Sequence, residues 1–470
     1  MRPNVLLIVF DTARADAFEP YGAPPGSSPV VRDLAESGGV MPKMFAPACW
    51  TLPSHASMFT GLLPRANGLA TLPGGTYEEA RPRMEAHRER LLPEVLRRTG
   101  YATRGVSTNV WVSETTGFAT GFEQFESLNS RRQAKVQDER LRARLSCQLE
   151  GLRANVDDGA EEAGRKLRSW FDETDGRPSF WFVNLIECHS PYLPPRPYND
   201  LGVLERLRAA DEARRYLTLG SIWRACAGGF DVPDDALERM RRLYAGAVKA
   251  VDAWLGDVLE ALDRARLLED TLVIVTSDHG ENFGEGGLMG HAYSLDNRLI
   301  RVPMVIHGPG EFGSGDVRSL AALPGLIADA VGLEDHPWHD DLPPSGTAVA
   351  QFDPPAGPED ERIGEAIDAW GLGPEAVPRI TTHLTCATDG RHKLMRRGDR
   401  EILFDLEADP LELSPLEPAA GDDAVVTNLR SALARSSSAE KTLATAGDAP
   451  VISPEERERI EDQMRLLGYL

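Results

Sequence analysis

The sequence predicts an α/β protein in which buried, mostly parallel strands are flanked by helices and a smaller antiparallel sheet follows. Three observations predict it. The apolar runs at 4–10, 180–186 and 271–276 are continuous rather than alternating, the pattern of strands covered on both faces. Between the second and third runs, residues 235–268 carry Leu243, Ala247, Val251, Leu255, Leu259 and Leu262 at helical spacing, which marks a helix with one apolar face. Towards the C-terminus, the short apolar runs 384–387, 393–395 and 402–406 lie close together, as in a small antiparallel sheet.

Composition narrows the function. A chain of 470 residues with 41% hydrophobic content suits two or three domains, or one large α/β domain with an appendage. Net charge is −22, from 73 acidic and 51 basic residues, which argues against nucleic acid, whose phosphates need a basic stripe. Only six of the basic residues are Lys, a bias that fits either a salt-adapted surface or a GC-rich genome. The five cysteines are scattered and form no CxxC pair, so neither a disulfide framework nor a zinc ribbon is expected. No window approaches the length of a membrane helix, and the first apolar run is too short for a signal peptide. The expectation is a cytoplasmic protein without membrane insertion that acts on a small molecule or a protein, as a monomer or a homo-oligomer.

Taken in order, residues 4–10 run into Asp11, so the first strand delivers a carboxylate at its C-terminal edge. Ligand sites in open α/β sheets gather at that edge, although Asp11 as a plain helix N-cap is the alternative. A helix is expected at 30–37. Then comes Ala48-Cys49-Trp50-Thr51-Leu52-Pro53-Ser54-His55, which places the Thr51 hydroxyl at a helix start, where free backbone N–H groups favour an oxyanion. Residues 89–99 read as helix, 101–107 as a strand leading to Asn109, and 131–175 as charged, solvated helix. The strand at 180–186 exits into Glu187-Cys188-His189, and the strand at 271–276 into Ser277-Asp278-His279-Gly280-Glu281. A glycine-rich loop leads to His291, and 302–306 is another strand. Residues 335–379, rich in Pro, Gly and Asp, read as loop or linker. Residues 418–450 read as mobile, and Ser453-Pro454-Glu455-Glu456 opens a final helix that closes at Gly468. The division expected is a catalytic α/β domain at 1–334, a linker at 335–379, and a small-sheet subdomain with its final helix at 380–470.

Three of these segments converge on one chemistry. Asp11, Asp278 and His279 at strand ends and the Thr51 hydroxyl make a mixed oxygen and nitrogen set for a single divalent ion. Such an ion lowers the hydroxyl's pKa and neutralises the oxyanion of a tetrahedral ester.

At this point the chain resembles the sulfatase branch of the alkaline phosphatase superfamily. The resemblance rests on residues 4–16, 51–61, 187–195, 271–281, 301–309 and His291, and continues through Leu403-Phe404-Asp405-Leu406-Glu407-Ala408-Asp409-Pro410 to the closing Leu467-Gly468-Tyr469-Leu470. It implies a central mixed, mostly parallel sheet flanked by helices, a smaller C-terminal antiparallel sheet subdomain, and hydrolysis of small anionic sulfate or phosphate esters through a covalent intermediate.

The departures from that pattern are informative. Sulfatases place Cys or Ser, oxidised to formylglycine, in Cys/Ser-x-Pro-x-Arg; this chain has Thr51 and His55 at the two anchor positions. A threonine cannot give the aldehyde. Where sulfatases present paired carboxylates and an Asp-Asn pair, this chain has Asp11-Thr12 and Asp278-His279, a set that favours Mn²⁺ or Zn²⁺ over Mg²⁺ and Ca²⁺. The resemblance therefore shifts towards phosphodiesterase and phosphonate monoester hydrolase relatives, with attack by Thr51 and a phospho-threonine intermediate. It assigns His291 to the substrate or leaving group, as general acid, and His189, Asn109 and His55 to substrate binding. A sulfatase acting without formylglycine, a transferase and a non-catalytic anion-binding homologue are the alternatives.

Overall fold

The computed structural model describes residues 2–71, 79–128, 157–192, 194–309, 316–339, 346–418 and 424–438. Its centre is a seven-stranded sheet. In spatial order the strands are Gly39–Val40, Met304–His307, Thr271–Thr276, Asn4–Phe10, Ser179–Leu185, Ala102–Ser107 and Gln124–Ser127. The last five run parallel, while Met304–His307 is antiparallel to Thr271–Thr276 and Gly39–Val40 antiparallel to Met304–His307. The three apolar runs of the sequence are thus neighbours in the middle of the sheet, with Val9 opposite both Asn184 and Thr276. Because these strands point the same way, everything that follows them emerges at one edge.

Helices cover both faces. Alternation along Ser179–Leu185 sends Phe182 to one side, 5.0 Å from Phe59 of helix Thr51–Thr60, and Trp181 to the other, 5.0 Å from Phe171 of helix Ala160–Asp172. Phe10 meets Trp254 of the long helix Asp234–Arg264 edge-on at 6.5 Å. Such aromatic contacts at both faces explain why the strands read as unbroken apolar runs.

The second unit is a four-stranded antiparallel sheet, Ala348–Phe352, Leu384–Thr388, His392–Arg397 and Arg400–Asp405, in sequential order. Two expectations are corrected here. Residues 335–379, expected as linker, contain the first strand of this sheet and the helix Glu361–Trp370. The strand escapes notice because it is short and buried throughout, and the helix because only Ile363 and Ile367 are buried in it. Residues 424–438, expected as mobile, form a helix whose Val426, Leu429, Ala432 and Leu433 pack on Val349, Ala387, Leu394 and Leu403. That apolar stripe outweighs the Ala/Ser-rich composition. Most of the charged stretch 131–175 and the final helix at 453–468 lie outside the described residues. Among the described residues, no helix is long and apolar enough to cross a membrane.

Candidate active site

The parallel edge of the sheet gathers the predicted residues. Asp11 follows the first strand, and its N–H donates to Leu185 O at 2.8 Å, which locks it to the neighbouring strand end. Its Oδ2 accepts from Asn109 Nδ2 at 2.7 Å and from Asn184 Nδ2 at 3.4 Å. The next residue, Thr12, holds φ +59°, a left-handed conformation costly for a β-branched side chain. It is held there by three bonds: its N–H donates to Asp278 Oδ1, its hydroxyl to Asp11 O, and its carbonyl accepts from Tyr244. Strain thus sits where the first and third strand ends meet.

Thr51 is the first residue of helix Thr51–Thr60, whose N-cap, Trp50, supplies no side-chain cap. Its Oγ1 lies 3.3 Å from His279 Nε2 and 3.5 Å from Asn109 Nδ2. His279 donates from Nδ1 to Gly280 O at 2.9 Å, which leaves the Nε2 lone pair facing Thr51 Oγ1 and, at 3.2 Å, Asp278 Oδ2. The ligand atoms of Asp11, Asp278 and His279 all lie within 4.8 Å of one another.

Electrostatics support a cation at this point. Burial, together with the nearby charge of Asp278, pushes Asp11 up to about 7. Burial also works against ionised Asp278, but the imidazoles of His279 and His55 and the Thr12 N–H outweigh it, so Asp278 is held below the usual carboxylate range. Burial pushes His279 down to about 4 and leaves it a neutral donor. Asp11 Oδ1 and Asp278 Oδ2 are buried with no hydrogen-bond partner. Two orphaned carboxylate oxygens and one imidazole lone pair fit a divalent ion, which satisfies all three at once.

The remaining predicted residues fall into two groups. His291 Nδ1 bonds Glu281 Oε1 at 3.0 Å, and its ring lies 4.7 Å from that of His279 and 4.9 Å from that of His189. Burial lowers the His291 pKa, but the Glu281 carboxylate outweighs it and holds the imidazole above its ordinary value. His189 donates from Nδ1 to Ser190 O, and burial pushes it down to about 4. These three imidazoles form one cluster beside the carboxylates. Asn109 and His55, by contrast, contact the proposed ligands themselves. His55 is fully buried, its ring edge-on to Phe118 and Phe182, with Nδ1 3.0 Å from Thr51 O and 3.3 Å from Asp278 Oδ2. Cys49 is buried, and burial raises its thiol, so it offers no alternative nucleophile.

Sequence reasoning missed Asn184, Glu281 and Tyr192. Asn184 interrupts a strand otherwise made of apolar side chains after its first residue, a polar residue that only a site at the strand end requires. Glu281 is fully buried and accepts from both His291 and Tyr192 Oη, the latter at 2.7 Å. It stands two residues beyond His279 in the same strand exit.

The chain is similar to known proteins in sequence and in fold. The Sulfatase family model matches residues 3–345. Iduronate 2-sulfatase of Mus musculus is 26% identical over 455 residues, covering 87% of this chain and 77% of that protein. Choline-sulfatase of Rhizobium meliloti (strain 1021) is 26% identical, covering 88% of this chain and 82% of that one. Among solved structures, phosphonate monoester hydrolase of Agrobacterium radiobacter superposes with a TM-score of 0.64 at 22% identity, covering 93% and 96% of the two chains. A protein solved with its substrate D-glucosamine-2-N,6-O-disulfate superposes with a TM-score of 0.66 at 17% identity, covering 94% and 98%. With its mixed central sheet, its C-terminal antiparallel sheet and a match that spans most of its length, the chain belongs to the sulfatase family, ester hydrolases of the alkaline phosphatase superfamily.

Proposed function

We propose that the chain hydrolyses phosphodiesters or phosphonate monoesters through a covalent intermediate on Thr51. The observation that carries this reading is an unmodified threonine hydroxyl at a helix start, within reach of His279 Nε2 and Asn109 Nδ2. Its Cβ bears a methyl group, so oxidation cannot yield the aldehyde on which formylglycine chemistry depends. Asp11, Asp278 and His279, with Thr51 beside them, would hold one divalent ion, Mn²⁺ or Zn²⁺ by donor set. When bound, the ion supplies Lewis acidity and lowers the pKa of the Thr51 hydroxyl.

The chain's own residues do the rest. Asn109 donates towards Thr51 Oγ1 and Asp11 Oδ2 and so fixes the nucleophile against its carboxylate neighbour. Thr51 Oγ1, its proton released to solvent, attacks phosphorus in line; the bond to the leaving oxygen breaks, and the other substituent stays on phosphorus. His291, whose affinity for a proton is raised by Glu281, donates a proton to that leaving oxygen and then takes one from the water that releases Thr51. His189, neutral and next to His291, contacts the substrate anion as a hydrogen-bonding group.

The sulfatases among the relatives favour a second reading, sulfate ester hydrolysis by the same unmodified Thr51. A panel of p-nitrophenyl sulfate, p-nitrophenyl phosphate, bis-p-nitrophenyl phosphate and p-nitrophenyl phenylphosphonate, with Mn²⁺, separates the two. The diester or the phosphonate is expected to give the highest kcat/KM. Sulfate as the best substrate would transfer the assignment to sulfur.

A further inference from the structure

We propose that Asp329, His336 and His339 form a separate site for a borderline transition ion such as Zn²⁺, at the opposite end of helix Thr51–Thr60 from the nucleophile. Helix Leu323–Ala330 carries Asp329 in its last turn. The chain then reverses through Gly332 at φ +70°, and Leu333 N donates back to Ala328 O, so the segment up to His339 folds over the helix end. This brings one ligand atom each from Asp329, His336 and His339 within 4.8 Å of one another.

The donor set suits a tetrahedral ion. His336 Nε2 lies 3.0 Å from Asp329 Oδ1, whereas two ligands of a tetrahedral zinc stand about 3.3 Å apart. That pair needs to open by only a few tenths of an ångström. His339 donates from Nε2 to Glu334 O at 3.0 Å, which fixes its tautomer and leaves the Nδ1 lone pair for an ion. A backbone carbonyl on the second ring nitrogen is the usual support of a metal-bound imidazole. The two rings stack at 3.8 Å with their planes 19° apart, so the exposed His339 ring has to turn for both in-plane lone pairs to meet at one ion. His336 is buried, while Asp329 and His339 are exposed, so the ion enters from solvent onto one fixed ligand.

Two imidazoles and one carboxylate select Zn²⁺, Ni²⁺ or Cu²⁺ over Mg²⁺ and Ca²⁺, with water in the fourth position. On loading, the ion takes the place of the His336 Nε2 proton, and Nδ1 carries the ring's proton instead. The contact given up is Trp338 N to His336 Nδ1, at 3.3 Å already at the long end for a hydrogen bond. The consequence reaches the catalytic helix through Trp338, which stands between the two histidines. Its Nε1 donates to Thr60 O at 3.1 Å and to Arg90 O at 3.2 Å, and its ring fills the space a Cβ on Gly61 would occupy. One ion held by the histidines on either side of Trp338 in sequence fastens this plug at the C-terminal end of the Thr51 helix.

The test is zinc stoichiometry of the full-length protein by equilibrium dialysis and elemental analysis, independent of which ester is cleaved. His339→Ala, at an exposed position, is expected to bind one equivalent fewer than the wild type while hydrolysing ester unchanged. Asp278→Asn, which disables the other metal set, is expected to keep the equivalent that His339→Ala loses. Zinc is also expected to raise the Tm of Asp278→Asn and to leave that of the Asp278→Asn/His339→Ala double variant unmoved. Equal zinc content in His339→Ala and the wild type would overturn the proposal.

Discussion

Asn109 holds two oxygens at once, Asp11 Oδ2 at 2.7 Å and Thr51 Oγ1 at 3.5 Å. Asn109→Ala releases both, and because a residue that orients a metal ligand typically contributes about 10–100-fold, kcat/KM is expected to fall by that factor in steady-state assays. The titration of Asp11 yields a second expectation. Its carboxyl is raised to about 7, mainly by burial and then by Asp278, so below that pH protons compete with the cation for the same oxygen. Apparent Mn²⁺ affinity is expected to fall about tenfold per pH unit below 7 and to level off above it, as measured by calorimetry across the neutral range. That Asp11, Thr51, Asp278 and His279 come together was legible in the sequence because each stands at a strand exit or a helix start, and such exits gather at one sheet edge. Asn184, Glu281 and Tyr192 were not, because their roles depend on partners chosen by tertiary placement: Asn184 reaches Asp11 across 173 residues.

The turn that carries Asp278 and His279 is set by its neighbour, the short helix Asn297–Ile300. Gly280 N donates to Leu299 O at 2.8 Å, and a Cβ at Gly280 would lie 1.9 Å from Arg298 O. Gly280→Ala must therefore push the turn off the helix. Overpacking of this kind costs about 1–3 kcal/mol, to be read from denaturant melts, and the displaced His279 is expected to lower kcat/KM by at least about tenfold even at saturating metal. Elements of this size show where legibility fails. The long helix ends within a few residues of its expected boundaries, since its apolar stripe repeats over many turns. Ala348–Phe352 was hidden in a Pro- and Gly-rich stretch because it has only 5 residues, and Glu361–Trp370 because only Ile363 and Ile367 of its 10 residues are buried. Helix Ala424–Ser438 was hidden because Ala and Ser dominate the composition around its stripe of Val426, Leu429 and Leu433.

For the molecule as a whole, continuous apolar runs revealed that a buried, mostly parallel sheet exists, but not its neighbour order. The edge strands Gly39–Val40 and Gln124–Ser127 have two and four residues, too few to form a pattern, and Gly39–Val40 pairs with a strand distant in sequence. The topology nonetheless explains why the site was readable: three central parallel strands must discharge their exits at one edge, so motifs far apart in sequence meet there. Family membership rests on the Sulfatase model matched over residues 3–345, and the proposed chemistry rests on Thr51. The most direct test of the central claim is acid quench of the Mn²⁺-loaded protein during turnover of p-nitrophenyl phenylphosphonate, followed by mass analysis of the Thr51 peptide. A phenylphosphonyl ester on Thr51 that appears before steady state is the expected result. An unmodified Thr51 peptide at every quench time, together with Thr51→Ala turning over at the wild-type rate, would contradict it.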